Sequence, residues 1–164
     1  MILAVCELNG RSGYEAGRQL LEKRFREQTG SPLPEIRVTE RGKPYFAEHP
    51  LHFSISHTPK HAFCVLSENN VGIDAEELDR RVNLKLADKI LSPGEKMQFD
   101  LAQDKRRALL TFWVLKEAAA KLSGEGLKGY PNHTDFSLED PRVTEIAGCL
   151  VAVLEEKGEK TDAV

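Results

Sequence analysis

The stretch "VGIDAEELD", residues 71–79, decides how the rest of the chain is read. Its apolar start predicts a strand, and in a strand alternate side chains share a face, so Asp74 and Glu76 point the same way. Two carboxylates held a few ångströms apart each raise the cost of ionising the other, unless water screens them or a cation joins them. A solvated strand end would need no cation. A strand that leaves the core directly after "VGI", by contrast, presents both groups at a cleft, where a hard cation such as Mg²⁺ takes oxygen ligands and commonly phosphate as well.

Working outward, the chain alternates short strands with amphipathic helices. Residues 1–8 predict a strand and residues 14–28 a helix with Leu20, Leu21 and Phe25 as its apolar stripe. "RGKPYF" predicts a turn into an extended segment, because Gly42 permits unusual backbone angles and Pro44 forbids helix. "LHFSISH" alternates, with Leu51, Phe53 and Ile55 inward and His52, Ser54 and Ser56 on the other face of a half-buried strand. "HAFCVL" and "VGIDAE", separated by "SENN", predict a hairpin. Beyond it, helices are expected over residues 81–91, 93–102 and 105–122, the second opened by a Ser92/Glu95 capping box. The third carries a core stripe of Phe112, Leu115, Ala119 and Leu122. "SGEGLKGYPNHT" ends that helix, "GCLVAVLEE" supplies a late strand and "KGEKTDAV" a frayed end.

The 164 residues suffice for a single compact unit, 1–164, divided into approximate lobes 1–79 and 80–164. A hydrophobic share of 40% with 30% charged residues and no apolar run of membrane-spanning length describe a soluble protein with no membrane partner. The net charge of −3 gives no global argument for nucleic acid. "MILAVCELNGR" lacks a basic leader and cleavage pattern, so a cytoplasmic location is expected. Cys6, Cys64 and Cys149 are odd in number and set among apolar residues, which argues against a disulfide framework and against a Cys-based zinc site.

Two further motifs bear on the acidic pair. In "FWVLKEAAAKL", Trp113, Glu117 and Lys121 fall at successive i, i+4 positions and line one helix face. An isolated Glu to Lys pair of this kind contributes only about 0.3–0.5 kcal/mol to a helix. Beside Asp74 and Glu76, Glu117 could instead complete a three-carboxylate metal site while Lys116 or Lys121 meets a phosphate. In "GKPYF" and "FSISHT", Lys43, Ser56 and His57 offer a point charge, a hydroxyl and an imidazole to phosphate, although a lone His57 could equally satisfy a turn carbonyl. Together these groups describe a polyphosphate site with a bridging metal.

In order and spacing, "GKPYF", "FSISHT", "VGIDAE" and "FWVLKEAAAKLSGEGL" resemble the signature of the Sfp-type 4′-phosphopantetheinyl transferases over roughly half the chain. The resemblance implies an α+β fold of two pseudo-symmetric lobes with coenzyme A, the co-substrate, in the cleft between them. It implies transfer of the phosphopantetheine arm to a serine of an apo acyl or peptidyl carrier protein, with 3′,5′-ADP released. Carried onto this chain, Asp74, Glu76 and Glu117 would hold Mg²⁺. Ser56, His57 and Lys121 would contact phosphates, and Lys43 would lie near the nucleotide. Glu117 would act as base and Lys121 would stabilise the departing phosphate. The chain is shorter than typical members, and Arg11, Arg18 and Arg41 are the candidates for gripping the 3′-phosphate. Arg81, Lys85 and Lys89, expected at i, i+4 on one helix face, could dock an acidic carrier or form an ordinary solvated face. Two other functions fit the same residues: a Mg²⁺-dependent pyrophosphate hydrolase, and a non-catalytic protein that binds coenzyme A or a carrier.

Overall fold

The structure, a computed structural model, describes residues 1–126 and 135–157. Its first half opens with β1 (Ile2–Glu7) and α1 (Gly13–Thr29). The helix begins at a capping box, in which Ser12 Oγ accepts from the Glu15 N–H and the Glu15 carboxylate accepts from the Ser12 N–H. It stops where Gly30 takes a left-handed φ of 72°. A two-stranded ribbon follows, β2 (Ile36–Val38) with β3 (Pro44–Phe46), and then β4 (His52–His57) and β5 (His61–Ser67). Strands β4 and β5 pair as an antiparallel hairpin, and β1 pairs with the other side of β5, giving the order β1-β5-β4.

The second half repeats the plan. It starts at β6 (Val71–Glu77), passes through a 3₁₀ turn (Leu84–Leu86), α2 (Ala87–Ile90), α3 (Pro93–Leu101) and α4 (Lys105–Ser123), and ends in β7 (Val143–Ile146) and β8 (Cys149–Glu155). The order β6-β8-β7 again sets the last strand at the centre, flanked by the first strand and the penultimate one. The fold is therefore α+β, as the resemblance implies, with each half built as a three-stranded antiparallel sheet and one long helix. By sheet membership β5 is the last strand of the first half and β6 the first of the second.

Three apolar clusters hold these layers. Leu21, Phe25, Phe46 and Phe53 lie between α1 and the first sheet, and Phe112, Leu115, Leu150 and Leu154 between α4 and the second. Phe63, Val65, Val71, Ile73 and Val151 join the two sheets. Each such side chain contributes about 1.5–3 kcal/mol when fully buried. Strand β6 reaches α4 closely because residue 72 is glycine: a Cβ there would sit 2.2 Å from the Ala118 carbonyl oxygen.

Three expectations change. The segment "SENN" does not close a hairpin, since β5 pairs with β1 and β4 while β6 pairs with β8, some 80 residues further along. The face carrying Ser54 and Ser56 is buried, because Ser54 Oγ accepts from the Ile73 N–H at 3.2 Å and Ser56 Oγ accepts from the Ala75 N–H at 3.1 Å. Side-chain hydroxyls thus join β4 to β6 where a backbone ladder would otherwise run. Finally, no continuous helix spans residues 81–91: Arg81 precedes the 3₁₀ turn, Lys85 lies within it and Lys89 is in α2. The Asn83 side chain accepts from the Lys85 N–H and starts the turn late. The three cations are exposed but do not form an i, i+4 stripe on one helix.

Candidate active site

The end of β6 and one face of α4 converge where the two halves meet. Strand alternation places Asp74 and Glu76 on one side of β6, and helical spacing brings Trp113, Glu117 and Lys121 towards them. Lys121 Nζ lies 2.9 Å from Asp74 Oδ1 and 3.5 Å from the Ile55 carbonyl oxygen. Ser56 donates to the same Asp74 oxygen over 3.2 Å. Glu76 Oε1 accepts from Trp113 Nε1 at 3.1 Å and also pairs with Arg80.

The electrostatics follow from burial. Asp74 is buried, and desolvation pushes its carboxyl above the ordinary 3.8; the Lys121 ammonium offsets part of this and Glu76 adds to it. Glu117 is raised above 4.5 first by burial and then by the Asp74 charge, with Lys121 acting in the opposite direction. One oxygen, Asp74 Oδ2, is buried without a hydrogen-bond partner among the described residues. A buried acceptor beside two more carboxylates fits a hard divalent cation, which would supply the missing partner and relieve the repulsion. Asp74, Glu76 and Glu117 are the carboxylates that could turn towards it, although among the described residues only His61, Glu77 and Cys149 already bring three ligand atoms within 4.8 Å of one another.

Two cavities flank this acidic group. One of about 440 Å³ is lined by Arg41, Gly42, Lys43, Ile55, Glu117 and Lys121. Another of about 830 Å³ is lined by Arg11, Ser12, His57, Lys60, Glu76 and Arg80. Glu117 and Lys121 open to the first and Glu76 to the second, so the carboxylates stand between two chambers.

The other expected ligands divide. Exposed His57 lies against the start of α1, where a Cβ on Gly13 would come within 2.3 Å of its Nδ1. Ser56 faces Asp74 and the Ala75 N–H, and so orients a carboxylate. Lys43 walls the first cavity with its chain, while its Nζ donates to Asn70 Oδ1 and to the Leu122 carbonyl at the end of α4. Burial pulls that ammonium below its ordinary value. Arg41 pairs with Glu125 at 3.2 Å on the rim of the same cavity. The guanidinium of Arg11 binds Glu7 O, Leu8 O and Gln19, and Arg18 lies over the Tyr14 ring.

Lys116 requires a correction. Its ammonium, 2% exposed, lies 2.8 Å from the fully buried Glu95 carboxylate, inside the second half and against the Phe136 ring. One residue along a helix is a rotation of about 100°, and that rotation sends Lys116 into the core while Glu117 faces the cleft. The signal available for Arg80 was its i, i+4 spacing from Glu76. For Trp113 it was the indole donor, which needs a partner when it is partly buried.

A family model described as the 4′-phosphopantetheinyl transferase superfamily matches residues 70–157, a segment that carries Asp74, Glu76, Glu117 and Lys121. The 4′-phosphopantetheinyl transferase AcpT of Escherichia coli (strain K12) is 39% identical over 119 residues, covering 70% of this chain and 58% of that protein. The 4′-phosphopantetheinyl transferase psf-1 of Bacillus pumilus is 30% identical over 135 residues, 78% of this chain and 57% of its own length. For the 4′-phosphopantetheinyl transferase gsp of Aneurinibacillus migulanus the identity is 28% over 126 residues, 73% and 52% respectively. The chain thus spans a little over half the length of each of these three relatives. With the family model covering more than half of its residues and the acidic group lying inside that match, the chain belongs to the 4′-phosphopantetheinyl transferase superfamily.

Proposed function

We propose that this protein transfers the 4′-phosphopantetheine arm of coenzyme A to a serine of an apo acyl or peptidyl carrier protein, with Mg²⁺ required and 3′,5′-ADP released. The observation that carries the reading is the meeting of Asp74, with its partnerless buried oxygen, and Lys121 at a cavity that Glu117 lines.

In this reading Asp74, Glu76 and Glu117 hold Mg²⁺. Bound there, the ion supplies positive charge against the pyrophosphate oxygens. Glu117, directly or through a water, takes the proton of the carrier serine as the serine Oγ forms a bond to the β-phosphorus. The bond from that phosphorus to the bridging oxygen breaks, and 3′,5′-ADP leaves with the oxygen. Lys121, on the same face of α4 one turn further, offsets the charge that develops on the leaving phosphate. His57 and Arg41 stand at the two cavities as candidates for the remaining phosphates. The exposed cations Arg81, Lys85 and Lys89, in the segment that leaves β6, would attract an acidic carrier.

Intact-mass spectrometry of an apo acyl carrier protein incubated with coenzyme A, Mg²⁺ and the protein tests this. A Mg²⁺-dependent gain of one phosphopantetheine, lost with Asp74→Ala and Glu117→Ala, is the expected result. Release of 3′,5′-ADP without carrier would instead identify a hydrolase, and coenzyme A binding without either product a non-catalytic relative. Charge reversal at Lys85 and Lys89 should raise KM for the carrier and leave that for coenzyme A unchanged.

A further inference from the structure

On the opposite face of β6 from Asp74 and Glu76, three side chains of different chemistry converge. His61 opens β5, Glu77 closes β6 and Cys149 opens β8, with Glu77 and Cys149 directly opposite each other in the β6/β8 register. One ligand atom from each lies within 4.8 Å of the other two. His61 Nδ1 is central to the group, 3.6 Å from Glu77 Oε1 and 4.0 Å from Cys149 Sγ. Glu77 and Cys149 are buried and His61 partly so.

We infer that His61, Glu77 and Cys149 form a second cation site, of the zinc class, separate from the hard-oxygen group at Asp74. Imidazole, carboxylate and thiolate are the donors a borderline-soft ion such as Zn²⁺ prefers, whereas Mg²⁺ prefers oxygen alone. Bonds of about 2.0–2.3 Å in a tetrahedron set ligand atoms roughly 3.3–3.6 Å apart, so the observed spacings need only small side-chain rotations to close on an ion. The fourth position can be taken by water from the 830 Å³ cavity that Thr58, Lys60 and Glu77 line, while Thr58 Oγ1 orients the Glu77 carboxylate by donating to its Oε1 at 2.6 Å. Cys149 binds as thiolate, so loading releases its proton to solvent. The sequence hid the site because its ligands are far apart along the chain and only the sheet register assembles them.

An ion held here would tie β5 of the first sheet to β6 and β8 of the second, and would stabilise the folded chain in proportion to its occupancy. The inference stands independently of the transferase reading. Titration of the reduced full chain with Co²⁺, in excess Mg²⁺ to keep the acidic group occupied, should give one equivalent with tetrahedral d–d bands and a thiolate-to-cobalt charge-transfer band, displaced by Zn²⁺. Zn²⁺ alone should raise Tm and release one proton in weak buffer. Cys149→Ser should abolish the charge-transfer band and His61→Gln should abolish binding, while Asp74→Asn should retain both. Absence of the thiolate band in the folded wild type overturns the inference, whether or not Cys149→Ser folds. Unchanged affinity in His61→Gln, or loss of binding in Asp74→Asn, overturns it as well.

Discussion

Trp113 Nε1 donates to Glu76 Oε1 across 3.1 Å, so a side chain of α4 fixes a carboxylate at the end of β6. Trp113 lies one helical turn before Glu117 and two before Lys121, and one helix therefore orients Glu76 as well as presenting its own groups. Trp113→Phe keeps the ring and removes the donor. Loss of such an outer-shell partner commonly costs about tenfold to a hundredfold in metal affinity. With Glu76 holding Mg²⁺ as proposed, the Mg²⁺ concentration for half-maximal transfer should rise by that order, with KM for coenzyme A at saturating Mg²⁺ little changed; a KM shift with no change in Mg²⁺ requirement would refute the positioning role.

The raised carboxyls of Asp74 and Glu117 predict the pH dependence of the metal-free protein. Both folded-state values lie above their ordinary 3.8 and 4.5, so through the interval from those values upward the native chain binds more protons than the unfolded chain. These two groups therefore lower stability as pH rises through that interval, and the loss is complete above the folded values. Asp74→Asn should raise Tm at neutral pH in the presence of a chelator, and the gain should shrink on acidification. A gain that grew on acidification would contradict the assigned direction.

Lys116 and Glu95 make a different kind of pair. Glu95 also accepts from the Ser92 N–H and the Phe136 N–H, both at 3.0 Å, and so ties α3, α4 and the chain at residue 136 together. Removing one member of a buried pair typically costs about 3–5 kcal/mol. Lys116→Met should lower stability by this order in a urea titration, with KM for coenzyme A unchanged in the folded fraction. A raised KM with unaltered stability would return Lys116 to the phosphate site.

At Gly72 a methyl group would meet backbone, which cannot swing aside as a flexible side chain can. Overpacking of this kind costs about 1–3 kcal/mol. Gly72→Ala should lower Tm by roughly 2–4 °C for each kcal/mol lost at this chain length. An unchanged Tm would mean that β6 and α4 separate freely.

Ser56→Ala removes the acceptor of the Ala75 N–H and a donor to Asp74 together. A buried group left unsatisfied costs about 1–3 kcal/mol. Circular dichroism melts should show that loss, and Mg²⁺ affinity should fall because Asp74 is less constrained. Full stability in Ser56→Ala would place a water in the vacated position.

The acidic group was legible because strand and helix periods are short-range rules: Asp74 with Glu76, and Glu117 with Lys121, needed only local geometry. What lay beyond reach depended on distant partners. Lys116 looked equivalent to Lys121 until Glu95 was seen beneath it, and "SENN" looked like a hairpin because nothing local announces that β8 claims β6. The basic stripe failed for a nearer reason, since Asn83 accepts from the Lys85 N–H and delays the turn. Ser54 and Ser56 alternate as a solvated face would, and only β6 lying beside them reverses that reading.

Those two serines also bear on solubility. With the orders β1-β5-β4 and β6-β8-β7, β4 and β6 are each the border strand of a three-stranded sheet. A border strand with open N–H groups is a template for another chain, and natural proteins cover or blunt it. Here the hydroxyls of β4 occupy the amides of Ile73 and Ala75 on β6, so the first sheet covers part of the second sheet's open side. A chain lacking both hydroxyls would leave those two amides unanswered even with the halves together, and concentration-dependent aggregation, rather than simple unfolding, is how that lesion would show itself.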